Sequence, residues 1–182
     1  MSMDIRPITP ADEAAVINTL VTAFGREPIG DFIYPDATAR DIGQTKMFTD
    51  LIKNRDPTKM NVDVTDDLDA VAVWEYKTAS NVDDHSLAEE EGLTLDGQLL
   101  FTQVDENEPE KPFLYLAFIG AASAGTGAGS ALIRHGLERV KQGEKVALFT
   151  SIGSVPFYAR FGFKVTTTIE VKGFAVVWMV RE

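Results

Sequence analysis

Between Leu114 and Ile133 the chain reads LYLAFIGAASAGTGAGSALI: an apolar run with strand character, a turn of small residues with glycines at Gly125, Gly127 and Gly129, and a helical pattern opening directly on that turn. This places a strand–turn–helix unit at the centre of whatever the chain folds into. The turn also has a chemical consequence. Without Cβ atoms the backbone can bend tightly and approach a ligand closely, while the first N–H groups of the helix lack intrahelical partners. With the helix dipole behind them, those groups suit a phosphate or a pyrophosphate.

Two common phosphate loops fit poorly. Gly120 and Gly125 have the separation of a Walker A loop, but Thr126 stands where a Lys must follow the last glycine to reach the outer phosphates. A dinucleotide fingerprint beginning at Gly125 would put Ser130 at its sixth position. It would also need an acidic residue closing the next strand, and that strand, Lys145 to Thr150, runs into Ser151 instead.

The segment resembles the pyrophosphate loop of the GNAT superfamily of acyl-CoA-dependent N-acetyltransferases, Q/R-x-x-G-x-G/A after a strand. Its glycines fall here on Gly127 and Gly129, with Ala124 at the usual Gln or Arg position. A second block follows at the family's distance: VPFYARFGF, Val155 to Phe163, is similar to the closing F-Y-x-x-x-G-F signature. The match is firm over residues 113 to 165 and softer over RPITPADEAAV near the start. AVAVWEYK, from Ala70, and the FIYPD run ending at Asp36 are similar to the subgroup that includes antibiotic N-acetyltransferases such as the puromycin enzyme.

The resemblance implies an α/β (α+β) fold, a mixed twisted sheet with helices on both faces and a central strand pair, Phe113 to Ile119 and Lys145 to Thr150, that splays to hold acetyl-CoA as cosubstrate. It implies that backbone groups of Ala117, Phe118 and Ile119 pair with the pantetheine arm, and that Gly125, Thr126, Gly127, Ala128, Gly129 and Ser130 hold the pyrophosphate. Tyr158 would be the catalytic residue, protonating or hydrogen-bonding the departing thiolate. Ser151 takes the place of a common Asn, with a shorter reach. The strand glutamate that often serves as base is missing from Val146 to Thr150, which leaves Glu75, Asp31, Asp36 or a water chain. Arg134, Arg160 and Lys164 could meet the cofactor's outlying phosphate.

At 182 residues with 45% hydrophobic content, the chain is expected to form one domain, residues 1–182. It has no cysteine and only His85 and His135, so disulfides, thiol chemistry and a metal site are not expected. A net charge of −11 argues against nucleic acid as a partner. It suits a cationic amine, though the acidic runs Asp83 to Glu91 and Asp105 to Glu110 read as solvated faces. Neither a leader pattern nor a membrane-spanning run is evident, so the expected setting is cytoplasmic, with no membrane partner. A homodimer is compatible with all of this.

Periodicity predicts strands at Met3 to Ile8, Asn61 to Asp66, Asp69 to Tyr76, Lys145 to Thr150, Lys164 to Val171 and Phe174 to Val180. It predicts helices at Ala11 to Phe24, Ala37 to Lys53 and Asp84 to Val104, the last weakened by Gly92 and Gly97. After the glycine turn, Gly129, Leu132, Ile133, Gly136, Leu137 and Val140 form an apolar stripe, with Arg134, Glu138, Arg139 and His135 towards water. Phe157, Phe161 and Phe163 read as packing and Gly162 as a turn; Trp74, Tyr34 and Phe32 read either as acceptor-pocket wall or as core. The reading in sum is an acetyl-CoA-dependent N-acetyltransferase acting on a small primary amine. Its competitor is a CoA-binding sensor or interaction domain without catalysis.

Overall fold

The computed structural model describes residues 3–79 and 86–182. Seven strands form one sheet: β1 (Ile5–Pro7), β2 (Met60–Thr65), β3 (Ala70–Lys77), β4 (Phe113–Ala121), β5 (Val146–Ser151), β6 (Lys164–Val171) and β7 (Phe174–Arg181), in the order β1-β2-β3-β4-β5-β7-β6. Neighbours are antiparallel except β4 and β5. The helices are α1 (Glu13–Phe24), α2 (Pro28–Ile33), α3 (Ala37–Lys53), α4 (Leu95–Glu106), α5 (Ala128–Leu137) and α6 (Val155–Ala159). Among the described residues, no helix is long and apolar enough to cross a membrane.

Strand alternation sorts the core into two faces. On one, Val16, Leu20, Phe48 and Ile52 of α1 and α3 cover Val62, Val64, Val71 and Val73. Farther along the same face, Leu100, Phe101 and Val104 of α4 cover Phe113, Ala147 and Trp178. The opposite face belongs to α5 and α6, where Leu132, Ile133 and Phe163 meet Trp74, Leu116, Leu148 and Met179. Helix α5 lies close because Gly136 sits on the Trp74 ring, where a Cβ would come within 2.1 Å. Trp74 is therefore core and no part of an acceptor pocket.

Most predicted elements stand with ends moved by one or two residues; α3 and β6 coincide with their expected spans. The hairpin between β6 and β7 turns on Lys172 (φ 51°) and Gly173 (φ 81°), the positive-φ pair that a two-residue loop favours. One expectation fails and one element is new. The predicted helix from Asp84 begins outside the described residues, and from Ser86 onward it is a single 3-10 turn, Leu87–Glu89, then α4; Gly92 at φ 88° interrupts it. α2 was not expected, its six residues being too few to show a period.

Arg139 is exposed, as expected, yet it is also held by an ion pair. Helix α5 ends at Leu137, and the Arg139 guanidinium turns back to grip both carboxylate oxygens of Asp63, which is 1% exposed; His135 Nε2 stands 4.0 Å from the same carboxylate. The stripe position Val140 thus lies beyond the helix.

The start of the chain is fastened by Asp12. Its Oδ2 accepts from Arg6 at 2.7 Å, from the Thr9 backbone N–H at 2.8 Å and from the Thr9 hydroxyl at 2.7 Å. Hydrogen bonds from Arg6 and Thr9 hold this carboxyl well below the usual range. A depressed carboxyl contributes stability above its unfolded pKa of about 3.9 and loses it as the pH falls through the folded value. Asp12→Asn is therefore expected to lower the melting temperature at pH 7, and the gap from wild type to shrink as the pH drops below about 4, read by thermal unfolding at both ends.

Candidate active site

Strands β4 and β5 pair only at Leu114 with Val146 and Tyr115 with Ala147, and then part. Two features spread them. Ala117 is an extra residue in β4, where the register with β3 shifts between Val73 and Trp74 and bends the strand. Gly120 lets α1 approach, since a Cβ there would meet the Ala23 Cβ at 2.6 Å. The gap opens into a cavity of about 480 Å³ that passes through the sheet. On the α5 side it is walled by Ile119, Gly129, Phe157 and Tyr158; on the other by Ile33, Tyr34, Met47, Phe101 and Phe149.

Of the residues that the sequence assigned to the cofactor, Ala117, Phe118, Ile119, Gly129 and Ser151 line this cavity. Gly125, Thr126, Gly127, Ala128 and Ser130 do not; they form the turn and first helical turn at its edge, beside Ala124, which does. Gly125 and Gly127 have φ of 78° and 83°, a conformation that side chains resist, and nothing lies within 4 Å of a Cβ built on either. Gly127 caps α5 without a side chain in the way. One donor is already engaged weakly, the Ala128 N–H to Thr126 Oγ1 at 3.4 Å. The turn is open to solvent on its outer side and fits an anion approaching the backbone.

Tyr158 sits in α6 with its ring between Phe157 (centroids 5.0 Å) and Phe163 (6.3 Å) and borders the cavity. Burial pushes its phenol up to about 12; the negative charge of Glu27 adds to the rise, and a hydrogen bond with Thr150 offsets part of it. At neutral pH it is a protonated donor. Phe163 is core at 2% exposure, Gly162 turns at φ 87°, and Phe157 both packs and walls the cavity. Arg160 lies over the Phe157 ring at 4.9 Å and Arg134 over Phe161 at 5.5 Å, while Lys164 is exposed.

The suggested bases lie elsewhere. Asp31 is paired with Arg40 and its side chain is 78% exposed. Asp36 caps α3, accepting from the Ala39 N–H at 2.8 Å, and Glu75 lies 3.7 Å from the Lys77 ammonium. None lines the cavity. Its carboxylates, among the described residues, are Glu27 and Glu90, and its cation is Arg26. Glu27 precedes α2, and with Ser151 and Ser154 it also walls a second hollow of about 430 Å³ beside Phe174. Arg26 Nη1 donates to the Ala122 carbonyl at 2.9 Å, which holds the guanidinium against the glycine turn. Glu90 belongs to an acidic run read as solvated, yet its charge reaches Tyr34, whose phenol burial already lifts to about 12. Tyr34 is thus a wall residue, whereas Phe32 stacks on Phe174 at 4.7 Å outside the cavity. Sequence spacing held no signal for Glu27 or Arg26, because they reach the site from a loop far from either motif.

Among the described residues no cluster of His, Cys, Asp or Glu could hold a metal ion. Residues 101–182 match the family model described as an acetyltransferase (GNAT) domain. Solved structures share the fold over the whole chain. One from Corynebacterium glutamicum, described as a histone acetyltransferase and related acetyltransferase, has 23% identity and a TM-score of 0.73, with 100% of this chain and 96% of that one covered. A candidate GNAT-family acetyltransferase from Desulfovibrio desulfuricans has 15% identity and a TM-score of 0.63, with 100% and 99% covered. The C-terminal condensation domain of Ebony, solved with beta-alanyl-dopamine, has 14% identity and a TM-score of 0.64, with 100% and 99% covered. The C-terminal part of the chain, residues 101–182, thus matches a GNAT acetyltransferase domain, and the whole chain, with its parted β4–β5 pair and glycine-capped α5 beside the gap, shares the fold of these solved structures.

Proposed function

We propose that the protein is an acetyl-CoA-dependent N-acetyltransferase that acetylates a primary amine by direct attack on the thioester. The observation that carries this reading is the coincidence of three features: the gap between β4 and β5, the open glycine turn at its edge, and Tyr158 in its wall. Beyond Tyr115 the edge of β4 is released from β5 and can pair with the amides of a pantetheine arm. The turn Gly125–Ser130 receives the pyrophosphate. Arg26, fixed to Ala122 at the same edge, supplies a positive charge that Ala124 cannot.

In the reaction the amine nitrogen forms the C–N bond, the C–S bond breaks, and sulfur leaves with the electron pair. Tyr158 donates a hydrogen bond to that sulfur. Because a thiol titrates near 8.5 and the phenol near 12, the proton stays mainly on Tyr158, which stabilises the charge rather than surrendering the proton. Glu27 stands where the cavity meets the second hollow, so an acceptor entering there passes its carboxylate before it reaches Tyr158. It takes the proton whose loss frees the amine lone pair, the task for which β5 has no carboxylate, and the second N–H proton, lost as the amide forms, goes to the departing sulfur to give the CoA thiol.

Calorimetry with CoA tests the binding half. Gly127→Val, which forces a branched side chain into a positive-φ position, and Arg26→Ala should each weaken binding by about tenfold or more. The Arg26→Ala variant should also show a flatter dependence on salt. Release of free CoA in the presence of amines tests the catalytic half, and binding without turnover on any amine would identify a sensor domain instead.

A further inference from the structure

We propose that the half of the cavity facing α2, α3 and α4 is an acceptor chamber for a hydrophobic primary amine, one whose ammonium is carried on a ring-bearing or branched apolar body. The inference rests on the N-acetyltransferase reading and names its substrate class. The glycine turn lies on the α5 side of the sheet, so the pantetheine arm occupies that half and the thioester reaches the β4–β5 gap from there. The acceptor must then meet it from the opposite face.

That face is built mainly from the apolar side chains of Ile33, Met47, Leu87, Phe101 and Phe149, among which Tyr34, Gln44 and Glu90 also border the cavity. Aliphatic and aromatic side chains offer no hydrogen bonds, so a hydroxyl or a second ammonium held against them loses its water without replacement. Tyr34, Gln44 and Glu90 can meet one or two such groups but not the several hydroxyls or ammonium groups of amino sugars and polyamines, which are disfavoured on that ground. An apolar body, by contrast, gains by leaving water. The charge pattern selects the other end of the molecule. Both carboxylates of the cavity, Glu27 and Glu90, are negative, and Arg26 is tied to the β4 end. Glu90 already acts on the Tyr34 phenol and the Lys46 ammonium, whereas the charge of Glu27 is felt at Tyr158. An ammonium group is therefore drawn to Glu27, beside the group that meets the leaving sulfur, and its apolar body lies along the chamber.

The test is acetyl-CoA turnover on 2-phenylethylamine, isoamylamine, spermidine and glucosamine, with kcat/KM from free CoA release. The first two should exceed the last two by about tenfold or more, the discrimination that apolar pockets supply. Met47→Glu, which adds a charge to the chamber wall, should lower kcat/KM for 2-phenylethylamine by about tenfold and narrow its lead over spermidine, with CoA affinity by calorimetry unchanged. A measurement that needs no variant runs beside it: 2-phenylethanol, lacking the amine, should inhibit competitively against 2-phenylethylamine. Preference for spermidine or glucosamine, or no inhibition by the alcohol, overturns the chamber while leaving the acetyltransferase reading in place. CoA binding without turnover on any amine overturns both.

Discussion

Tyr158→Phe should lower kcat by about 10²-fold or more and leave CoA affinity close to that of the wild type. The substitution removes one hydroxyl and keeps the ring that packs on Phe157 and Phe163, so the fold has little reason to change. What is lost is the donor that meets sulfur as the C–S bond breaks, an interaction made in the transition state and hardly at all in the ground state. Steady-state kinetics with calorimetry separates the cases: equal loss in kcat and kcat/KM marks a transition-state donor, whereas a wild-type rate would leave Tyr158 as a packing residue. The raised phenol adds a pH test. With its pKa near 12 the donor form persists, so the wild-type rate should show no alkaline decline from this group up to about pH 10.

The sequence made some layers of this molecule legible and hid others for physical reasons. Periodic elements were readable: α3 and the β6–β7 hairpin declare themselves through apolar spacing and a Lys-Gly turn. The glycine turn was readable because positive φ leaves few alternatives to glycine. The parting of β4 and β5 was expected from resemblance, but its local causes, the Ala117 bulge and the close approach at Gly120, are packing facts that no period encodes. Contacts made through tertiary placement were not readable. Arg139 lies towards water as its spacing implied, but that spacing could not show its grip on the buried Asp63 carboxylate. The three proposed bases were chosen for lying in promising segments, yet Asp31, Asp36 and Glu75 are each engaged elsewhere.

Glu27→Gln should cost about 10²-fold in kcat/KM at pH 7, and that deficit should shrink as the pH approaches the acceptor's own pKa, about 10 for an alkylamine. The reason is protonic. At pH 7 nearly all of the amine is ammonium, and a carboxylate beside Tyr158 can accept the proton whose removal frees the lone pair. As the pH rises, solvent makes the free amine unaided and the carboxylate becomes dispensable. A residue that merely held the ammonium would show its deficit in KM with kcat preserved at pH 7, and that outcome would reassign Glu27 to binding. Asp31→Asn, Asp36→Asn and Glu75→Gln serve as controls, with kcat/KM expected to stay near wild type because none of the three borders the cavity. A second readout follows from electrostatics. The charge of Glu27 helps raise the Tyr158 phenol, so Glu27→Gln should lower that pKa, visible as an earlier tyrosinate signal in a spectroscopic titration of site-labelled Tyr158. If the titration moves while the pH profile does not, Glu27 lies near the phenol without accepting the proton, and water in the parted strands takes that role.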